Sequence, residues 1–532
     1  MRTSITVIRR FLFLGCFSLV PGQLMATALD HPIKVSVNPN KTHQTIDGFG
    51  ASDAWRCQFV GRNWPLAKRE QIADLLFSQA TNQTGQPLGI GLSLWRFNLG
   101  AGTTEQGNAS GIQNPWRRAE CFQNPDGSYD WSKLQGQRWF LNAARKRGTE
   151  RFLAFVNAPP VHLSNNGKGY ATKGDLHLNV SPGKLRDYAR YLVDVIEHFS
   201  KAGTPFAYLS PVNEPQWEWD GTGQEGSPAL NEEISALGGY LSHDLFERQL
   251  TTHIVIGEAG TIGHAAIAMD SVGMTSDGRD NQAQFFFSPD SPFKIWCLPN
   301  VENTISAHSY HSVWPVDKQV TYRQQVYAAL QAANPDLGYW MSEYCILQRN
   351  DEIRSGGRRD LGMNTALYVA RVIHHDLTLT NARSWQWWTA ITQCDFKDGL
   401  VYLDDGSRGD NGRMGPETGS LRHDGVVRES KLLWALGNYS RFIRPGAVRV
   451  SCQIEPGQSA TDGVLASAYR TPQDQTVVVL TNLSPEEQVC DLGYAANATV
   501  YTTDQTHNLS PSHQSSDSIF LPPRSVATVC PE

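Results

Sequence analysis

Val212-Asn213-Glu214-Pro215 and Trp340-Met341-Ser342-Glu343-Tyr344 are two short runs in which an apolar stretch ends on a glutamate. They belong to a longer series, because eight apolar stretches alternate with amphipathic ones between about residue 45 and residue 444. Alternating strands and helices indicate a parallel sheet, and eight such units are what a (β/α)8 barrel needs. The sequence therefore predicts an α/β fold, a (β/α)8 TIM barrel over residues 45–446, with its chemistry at the C-terminal strand ends. The predicted strand ends are Asp47–Gly50, Leu94–Asn98, Phe155–Asn157, Val212–Glu214, Ile256–Glu258, Ala307–Tyr310, Met341–Glu343 and Gln386–Trp388.

The amphipathic stretches predict the helices of these units. Their apolar residues recur every three or four positions, which is the period of a helix with one buried face. A further helix is expected before Ile295, where the pattern sets no clear boundaries. The other predicted helices are Leu66–Phe77, Trp131–Lys146, Lys184–Phe199, Asn231–Arg248, Tyr322–Ala333, Met363–Thr378 and Leu432–Phe442.

A second domain is predicted after the barrel. Beyond Pro445-Gly446 the pattern changes to short alternating strands separated by turn residues, which predicts an antiparallel β-sandwich over residues 447–532. The N-terminal segment 29–44 contains the strand candidate Ile33–Val37, which we expect to join this β domain. The strands predicted within the domain are Gly463–Tyr469, Thr476–Thr481, Ala498–Thr502 and Ser525–Cys530.

The N-terminus has the features of an export signal. Three arginines precede the apolar run Phe11–Val20, and Ala26-Thr27-Ala28 offers a cleavage site of small residues. We therefore expect residues 1–28 to be a signal peptide and the protein to be secreted. Cys16 offers a lipoprotein site as an alternative, which would give a periplasmic or lipid-anchored surface form. No later stretch reaches about 18 unbroken apolar residues, so no membrane span is expected.

Composition and charge exclude several classes of function. The 532-residue chain has a formal net charge of -6 and lacks the clustered basic face that nucleic acid would require. Eight cysteines follow the predicted signal, an even set compatible with disulfides, and eight Asn-x-Ser/Thr sequons would allow N-glycans. The sequence has neither a CxxC pair nor an HExxH run, so it predicts no metal site and no cofactor.

The paired glutamates indicate the chemistry. Hydrolysis of a glycosidic bond with retention needs one protonated carboxyl to protonate the leaving oxygen and one carboxylate to attack the anomeric carbon. These two carboxyls lie about 5 to 5.5 Å apart in such enzymes, a distance that strand ends across a barrel mouth can provide. Glu214 and Glu343 are therefore the predicted catalytic pair. Glu258, on the strand after that of Glu214, is the competing carboxylate, with a supporting or substrate-binding role expected.

Other side chains at the strand ends are predicted to complete the site. Tyr310 and Arg96 are placed to donate hydrogen bonds to Glu343, although Arg96 also suits a structural salt bridge. Asn213 is expected to contact a sugar hydroxyl. The histidines at 308 and 311 suit substrate binding, adjustment of a pKa, or a hydrogen-bonded wall. Trp387 or Trp388 is expected to form a floor beneath the sugar.

The sequence resembles glycoside hydrolase family 30 across nearly the whole mature chain. An Asn-Glu-Pro triplet is common among barrel glycosidases, whereas its combination with a Phe-Ile-Arg-Pro-Gly exit is far more selective. The resemblance implies a retaining hydrolase without metal or cofactor, with Glu214 as acid/base and Glu343 as nucleophile. It also implies sugar-binding roles for Arg96, Asn213, Tyr310 and one of the two tryptophans at 387 and 388. The motifs that carry it are Asp47-Gly48-Phe49-Gly50-Ala51-Ser52, Val212-Asn213-Glu214-Pro215, Ser342-Glu343 and Tyr439-Ser440-Arg441-Phe442-Ile443-Arg444-Pro445-Gly446.

Departures from the family pattern bear on the substrate. Where glucosylceramidase-like members carry Trp, then Ser-Pro and another Trp, this chain has Asn157-Ala158-Pro159-Pro160-Val161-His162, which exchanges apolar surface for hydrogen-bonding groups. The loop Pro215–Asp220 with Gly223–Gly226 is similar to the endo-β-1,6-galactanase branch, where Trp217 would serve as a sugar platform. The sequence thus predicts an enzyme that cleaves β-1,6-linked galactan side chains of the arabinogalactan type. The alternatives are an endo-β-1,6-glucanase, a xylanase, an exo-β-glycosidase, or a carbohydrate-binding protein without catalysis.

Overall fold

The computed structural model describes residues 32–267, 278–406, 419–493 and 497–531. The predicted signal peptide lies outside these ranges. Eight parallel strands close into a barrel in the order β2 to β9, with each strand hydrogen-bonded to the next and β2 paired with β9. The predicted (β/α)8 barrel is therefore confirmed. Preceded by β1 (Ile33–Thr45), the barrel strands are β2 (Gly48–Ser52), β3 (Leu94–Leu99), β4 (Arg151–Val156), β5 (Tyr208–Ser210), β6 (His253–Ala259), β7 (Val301–His308), β8 (Gly338–Tyr344) and β9 (Ser384–Trp387).

Helices connect the strands around the outside of the barrel. The region before Ile295, where the sequence defined no helix boundaries, contains two short helices, α7 and α8. The helices are α1 (Arg56–Asn63), α2 (Leu66–Phe77), α3 (Thr103–Gln106), α4 (Gln135–Lys146), α5 (Leu185–Lys201), α6 (Asn231–Glu247), α7 (Ile262–Ala266), α8 (Gln282–Phe287), α9 (Val316–Ala333), α10 (Met363–Leu379) and α11 (Lys431–Ser440), with 3-10 turns at Gly107–Ser110, Pro115–Arg117 and Gly419–Arg422.

Helix α1 is absent from the sequence prediction, and its packing explains why. The helix is short, and it approaches α4 through a pair of glycines rather than through an apolar stripe. A Cβ atom added at Gly61 would lie 2.1 Å from the carbonyl oxygen of Gly136, so only glycine allows this approach. Because α1 and α4 meet through backbone atoms, the sequence of α1 lacks the periodic apolar residues from which a helix is predicted.

The fourth predicted strand end is wrong in its boundary. Val212–Glu214 was predicted to close a strand, but β5 ends at Ser210 and these residues lie just beyond it. Pro211 accounts for the early end, because proline has no N–H to donate to the strand ladder. Asn213 and Glu214 are consequently on loop backbone at the mouth of the barrel.

The remaining strands form two further sheets. A small sheet of β10 (Ile391–Thr392), β11 (Val401–Asp404) and β12 (Val426–Glu429), which the sequence pattern did not indicate, lies between the last barrel strand and α11. The β domain has one hydrogen-bonded order, β18-β17-β20-β15-β14-β13-β1-β16-β19. Its strands are β13 (Val448–Glu455), β14 (Val464–Arg470), β15 (Thr476–Asn482), β16 (Gln488–Asp491), β17 (Ala498–Thr503), β18 (Ser510–Gln514), β19 (Ser518–Leu521) and β20 (Ser525–Pro531).

The β domain is a sandwich that includes the N-terminal strand. Val500 from one end of the strand order and Ile519 from the other belong to the same buried cluster, so the sheet folds over a shared core. Strand β1 pairs antiparallel with β13 and parallel with β16. The prediction that Ile33–Val37 joins this domain is thus confirmed by its pairing.

The sandwich packs on the barrel through α10 and α11. Asn438 on α11 is buried and donates to the carbonyl of Tyr501 at 2.8 Å and to the hydroxyl of Thr528 at 3.0 Å. Arg444 pairs with Glu150 and also binds backbone carbonyls of the barrel at Gly91 and Ser440. Phe442 of the exit motif packs on Tyr501 of the sandwich with ring centroids 4.7 Å apart, so the motif contributes to the contact between the two domains.

The expected disulfides and several expected glycans are not supported. No disulfide joins the cysteines of the described ranges, and four of them, Cys57, Cys121, Cys345 and Cys490, are buried within the cores, where they pack as small apolar side chains. The sequon asparagines 179, 438 and 482 are buried, and their side-chain amides donate hydrogen bonds inside the protein. Within the described ranges, no helix combines the length and apolarity needed to cross a membrane.

A buried ion pair behind the barrel mouth provides a stability test. Arg323 on α9 and Asp376 on α10 are fully buried at 2.8 Å, and Asp376 also accepts from Trp385 at 3.0 Å. Asp376→Asn leaves the guanidinium without its counter-ion, and we expect the free energy of unfolding to fall by about 3 to 5 kcal/mol. The control is Lys201→Gln, which breaks an exposed pair with Glu197 and should change stability by less than about 0.5 kcal/mol. Urea unfolding measures both, and equal midpoints for the two variants would contradict the expectation.

Candidate active site

Seven barrel strands, β3 to β9, bring the candidate residues together at the mouth of the barrel. Glu214 and Glu343 face each other across the barrel mouth, and the reactive atoms of both, with a ring nitrogen of His308, lie within 4.8 Å of one another. They line a cavity of about 500 Å³. The residues placed around them are Arg96 on β3, Asn157 after β4, Asn213 after β5, Glu258 on β6, His308 at the end of β7, Tyr310 beyond it, and Trp387 and Trp388 at the end of β9.

Glu343 is held by two donors, as the sequence predicted. The Tyr310 hydroxyl donates to Glu343 Oε1 at 3.0 Å, and the Arg96 guanidinium forms a close ion pair with Glu343 Oε2. Arg96 also donates to Asn213 Oδ1 at 3.0 Å and to Glu258 Oε2 at 2.6 Å. Arg96 is fully buried, so it acts on the carboxylates and lies beneath the cavity surface.

His308 links the two other glutamates. Its Nδ1 lies 2.8 Å from Glu214 Oε1, and its Nε2 lies 3.2 Å from Glu258 Oε2. Burial would lower the pKa of His308, but the carboxylates of Glu343, Glu214 and Glu258 outweigh it and raise the pKa to about 10. His308 is therefore an imidazolium that donates from both ring nitrogens.

The two carboxyls around His308 differ in their preferred state. Burial raises the pKa of Glu214 above its usual range, and the negative charge of Glu343 acts in the same direction. Burial would raise the pKa of Glu258 too, but the adjacent Arg96 and His308 hold it down at about 2. Glu214 therefore keeps its proton to a higher pH than an ordinary glutamate, whereas Glu258 loses its proton at a lower pH.

The backbone at Glu214 is held in a strained conformation. Its φ of 45° lies in the left-handed region, which glutamate seldom adopts. The Glu214 N–H donates to the carbonyl of Glu258 at 2.8 Å, and the Glu214 carbonyl accepts from the Trp219 indole at 2.9 Å. These bonds on either side fix the direction of the carboxyl.

The spacing of Glu214, His308 and Glu343 would also suit three ligands of a metal ion. These groups contact one another directly, with His308 Nδ1 at 2.8 Å from Glu214 Oε1 and at 3.7 Å from Glu343 Oε1. They form a chain of polar contacts across the mouth of the barrel.

Aromatic and polar side chains form the walls of the cavity. Trp217 and Trp219 lie on the loop after β5, and Trp388 follows β9. Trp388 packs edge-on against Trp55 with ring centroids 5.4 Å apart. Asn157 is also on the wall, and within the described part of the chain neither its amide nitrogen nor its amide oxygen has a hydrogen-bond partner. A buried polar group without a partner is rare, so this amide is available for a ligand.

Family comparison identifies the protein class. Residues 32–402 match the model of O-glycosyl hydrolase family 30, and residues 446–529 match the family 30 β-sandwich domain. The chain belongs to glycoside hydrolase family 30. This glycoside hydrolase is 24% identical over 472 residues to an endo-β-1,6-galactanase of Hypocrea rufa, a match covering 84% of this chain and 81% of the relative.

Two solved structures show the same fold as this family 30 hydrolase. A conserved exported protein from Bacteroides fragilis is 37% identical and superposes with a TM-score of 0.86 over 93% of this chain and 100% of its own. The catalytic domain of a family 30 xylanase C from Talaromyces cellulolyticus is 22% identical, with a TM-score of 0.63 over 93% of this chain and 99% of its own. The second likeness concerns the fold alone.

The structure separates the predicted residues of this hydrolase into two layers. Asn157, Asn213, Trp217, Tyr310 and Trp388 line the cavity with both glutamates, whereas Arg96 and His308 lie beneath them. Trp387 is buried and donates its indole N–H to the carbonyl of Asp398 at 2.9 Å. His162, expected beside the reacting sugar, instead binds Gln123 at 2.9 Å and lines a different cavity.

Sequence reasoning missed several lining residues. Arg117, Leu347 and Phe396 belong to long loops, well away from the strand ends that guided the search. Arg117 lies over the Trp55 ring at 5.2 Å and donates to Gln224 at 2.9 Å, which brings two loops together. An arginine alone in a loop carries no local signal of such a position.

Asn157 allows a test in which stability and activity separate. Asn157→Leu keeps the side-chain size and removes a buried amide without partners, so we expect stability to hold or rise. Activity should fall about 10- to 100-fold in kcat/KM, because the substrate loses hydrogen bonds worth about 1 to 3 kcal/mol. The matched control is Asn98→Leu, whose amide is equally buried and unpaired within the described chain but lies away from the cavity. Equal activity losses in the two variants would contradict the assignment.

Proposed function

We propose that this family 30 hydrolase cleaves its substrate by double displacement, with Glu214 as acid/base and Glu343 as nucleophile. The observation that carries this proposal is the closeness of the two carboxyls, whose oxygens lie within 4.8 Å. Retaining enzymes need a separation of about 5 to 5.5 Å, and inverting enzymes about 6.5 to 9.5 Å to accommodate a water. The separation of Glu214 and Glu343 therefore favours retention, in which the nucleophile reaches the anomeric carbon directly.

The proposed reaction has two steps. Glu343 attacks the anomeric carbon while Glu214 gives its proton to the departing glycosidic oxygen, which leaves a covalent glycosyl-enzyme. Glu214, now ionised, takes a proton from a water that attacks the same carbon and releases Glu343. The net change is the addition of water across one glycosidic bond, with both carboxyls restored.

The surroundings of each carboxyl support these roles. Arg96 and Tyr310 donate to Glu343, which stabilises the charge of a carboxylate nucleophile. Burial raises the pKa of Glu214, which favours the proton that this carboxyl must deliver in the first step. Once the glycosyl-enzyme forms, the negative charge of Glu343 is lost, so the pKa of Glu214 falls when it must act as a base.

We propose endo-hydrolysis of β-1,6-linked galactan as the activity. The support is the Hypocrea rufa relative, which is named an endo-β-1,6-galactanase, together with the polar replacement at Asn157 and the aromatic loop of Trp217 and Trp219. Exposed lining residues such as Asp220 and Leu347 leave the cavity open to longer chains, which favours internal cleavage.

Export is part of the proposal, supported by the N-terminal signal pattern and by the description of the Bacteroides fragilis protein as exported.

The nucleophile is tested by replacing its carboxylate. Glu343→Gln should lower kcat by about 10⁴-fold or more, because a neutral amide cannot attack the anomeric carbon. Binding of the oligosaccharide should persist, as measured by calorimetry. With an activated aryl glycoside and added azide, Glu343→Ala should give the α-glycosyl azide and Glu214→Ala the β-glycosyl azide, since azide enters from opposite faces. The same anomer from both alanine variants would refute the two roles.

The substrate is tested by product sizing over time on β-1,6-galactan, β-1,6-glucan and glucuronoxylan. We expect a ladder of oligosaccharides from the galactan alone, because internal cuts produce many lengths at early times. Monosaccharide as the sole early product would instead indicate exo action. Glu343→Gln is the blank for contaminating enzymes, and an inert galactan would refute the proposed specificity while leaving the double-displacement proposal to the azide test.

A further inference from the structure

Glu258 lies at the centre of the charged network and does not line the cavity. It is completely buried on β6 and belongs to the layer beneath the cavity. A single oxygen, Oε2, accepts from Arg96 at 2.6 Å and from His308 at 3.2 Å. These two cations are the groups that bind Glu343 and Glu214, respectively. Glu258 is therefore connected to both catalytic carboxyls through one intermediate each.

We propose that Glu258 is a positioning residue. Arg96 and His308 are two buried cations, Glu343 balances one of them, and the negative charge of Glu258 balances the other. This balance lets the site hold a protonated Glu214 beside an ionised Glu343. This inference rests on the proposed roles of those two glutamates. Two cations, Arg96 and His308, face two anions, Glu258 and Glu343, so the cluster is neutral only while Glu214 keeps its proton. Without Glu258 the cluster would carry one excess positive charge, and loss of a proton would restore neutrality.

The charge count covers the groups joined by the hydrogen bonds and ion pairs of the cluster, and Asp53, whose pKa burial raises to about 7, lies outside it with its carboxyl bonded to Gln137 and to the Asn98 N–H. Ionisation of Glu214 adds a third carboxylate beside two cations, which burial makes costly. The Tyr310 hydroxyl and the Cys345 thiol next to it are neutral, because burial raises both of their pKa values well above the ordinary range. The titratable and charged groups in and around the cluster are Arg96 on β3, Glu214 after β5, Glu258 on β6, His308 and Tyr310 at the end of β7, Tyr339 and Glu343 on β8, Cys345 after β8, and Asp53 after β2.

The backbone carbonyl of Glu258 also helps to hold Glu214. The charge of the Glu258 side chain can therefore be tested separately from this backbone contact. The Glu258 carbonyl accepts the N–H of Glu214, a bond that a side-chain substitution leaves in place. Glu258→Gln therefore removes the charge and keeps the chain path. Glu258→Asp retains the charge on a shorter side chain.

The kinetic experiment is the pH profile of kcat/KM. In Glu258→Gln the cluster releases a proton at lower pH, since one stabilising anion is gone, so the alkaline limb should move to lower pH by about 1 to 3 units. Glu258→Asp should return the limb towards the wild-type position. The matched control is Glu302→Gln on β7, whose carboxylate pairs with His253 at 3.2 Å at the opposite end of the barrel, and its limb should not move.

Two kinetic outcomes would overturn the proposal. An unchanged alkaline limb in Glu258→Gln, with only a lower plateau, would assign Glu258 a purely structural role. A limb that moved to higher pH would show that its charge favours ionisation of Glu214.

A second measurement needs no activity and reads the charge of His308 in the wild-type protein, with one folded variant used only to assign the signal. Nuclear magnetic resonance of wild-type protein labelled at the histidine rings should show His308 as an imidazolium at pH 7, with loss of the proton near pH 10. His308→Gln identifies the signal among the 15 histidines of the chain. A neutral His308 at pH 7 would overturn the charge balance. If every glycan proved inert, the proposed function would fail while this spectrum still decided the role of Glu258.

Discussion

The guanidinium of Arg96 is the interaction on which the barrel mouth depends. It starts on β3 and reaches Glu343 on β8, Glu258 on β6 and Asn213 after β5, so one side chain joins four segments of the barrel. A charge this deeply buried is stabilised by opposite charges close to it, and the terminal nitrogens of Arg96 meet two carboxylates and one amide oxygen, while its Nε has no partner among the described residues. The contacts thus fix where each strand end lies relative to the others. A lysine could supply the charge but not the geometry.

The strained backbone at Glu214 and Glu258 follows from the same need to hold buried charges in fixed positions. Glu214 and Glu258 both adopt left-handed backbone, with φ of 45° and 46°, and one donates its N–H to the carbonyl of the other. Such conformations persist only where the surroundings over-determine them. Here the constraints come from Arg96 and His308 on one side and from the Trp219 indole on the other. The result is a site whose carboxyls hold their positions before substrate binds, which reduces the reorganisation that catalysis requires.

The sequence predicted the barrel, the sandwich and the contacts of Glu343, and it did so for identifiable physical reasons. Parallel barrel strands are buried runs that end at one face, so their last residues can be found from hydrophobic pattern alone. The predictions failed where structure depends on backbone or on distant loops. Gly61 and Gly136 join two helices without an apolar stripe, Trp387 and Trp388 differ in exposure although they are neighbours, and Arg117 reaches the cavity from a loop. Periodicity contains no information on any of these placements.

The residues beneath the cavity and the residues that line it differ in whether they need a ligand to complete their contacts. The lower layer of Arg96, Glu258 and His308 is held together by ion pairs that need no ligand, although Arg96 Nε and Glu258 Oε1 have no partner among the described residues. The upper layer is incomplete without a ligand, since the Asn157 amide has neither donor nor acceptor among the described residues. A site with an unpaired buried amide rejects a substrate that cannot bond to it far more strongly than an apolar wall would. Replacement of an apolar wall by Asn157 therefore restricts the choice of sugar while the machinery beneath it stays unchanged.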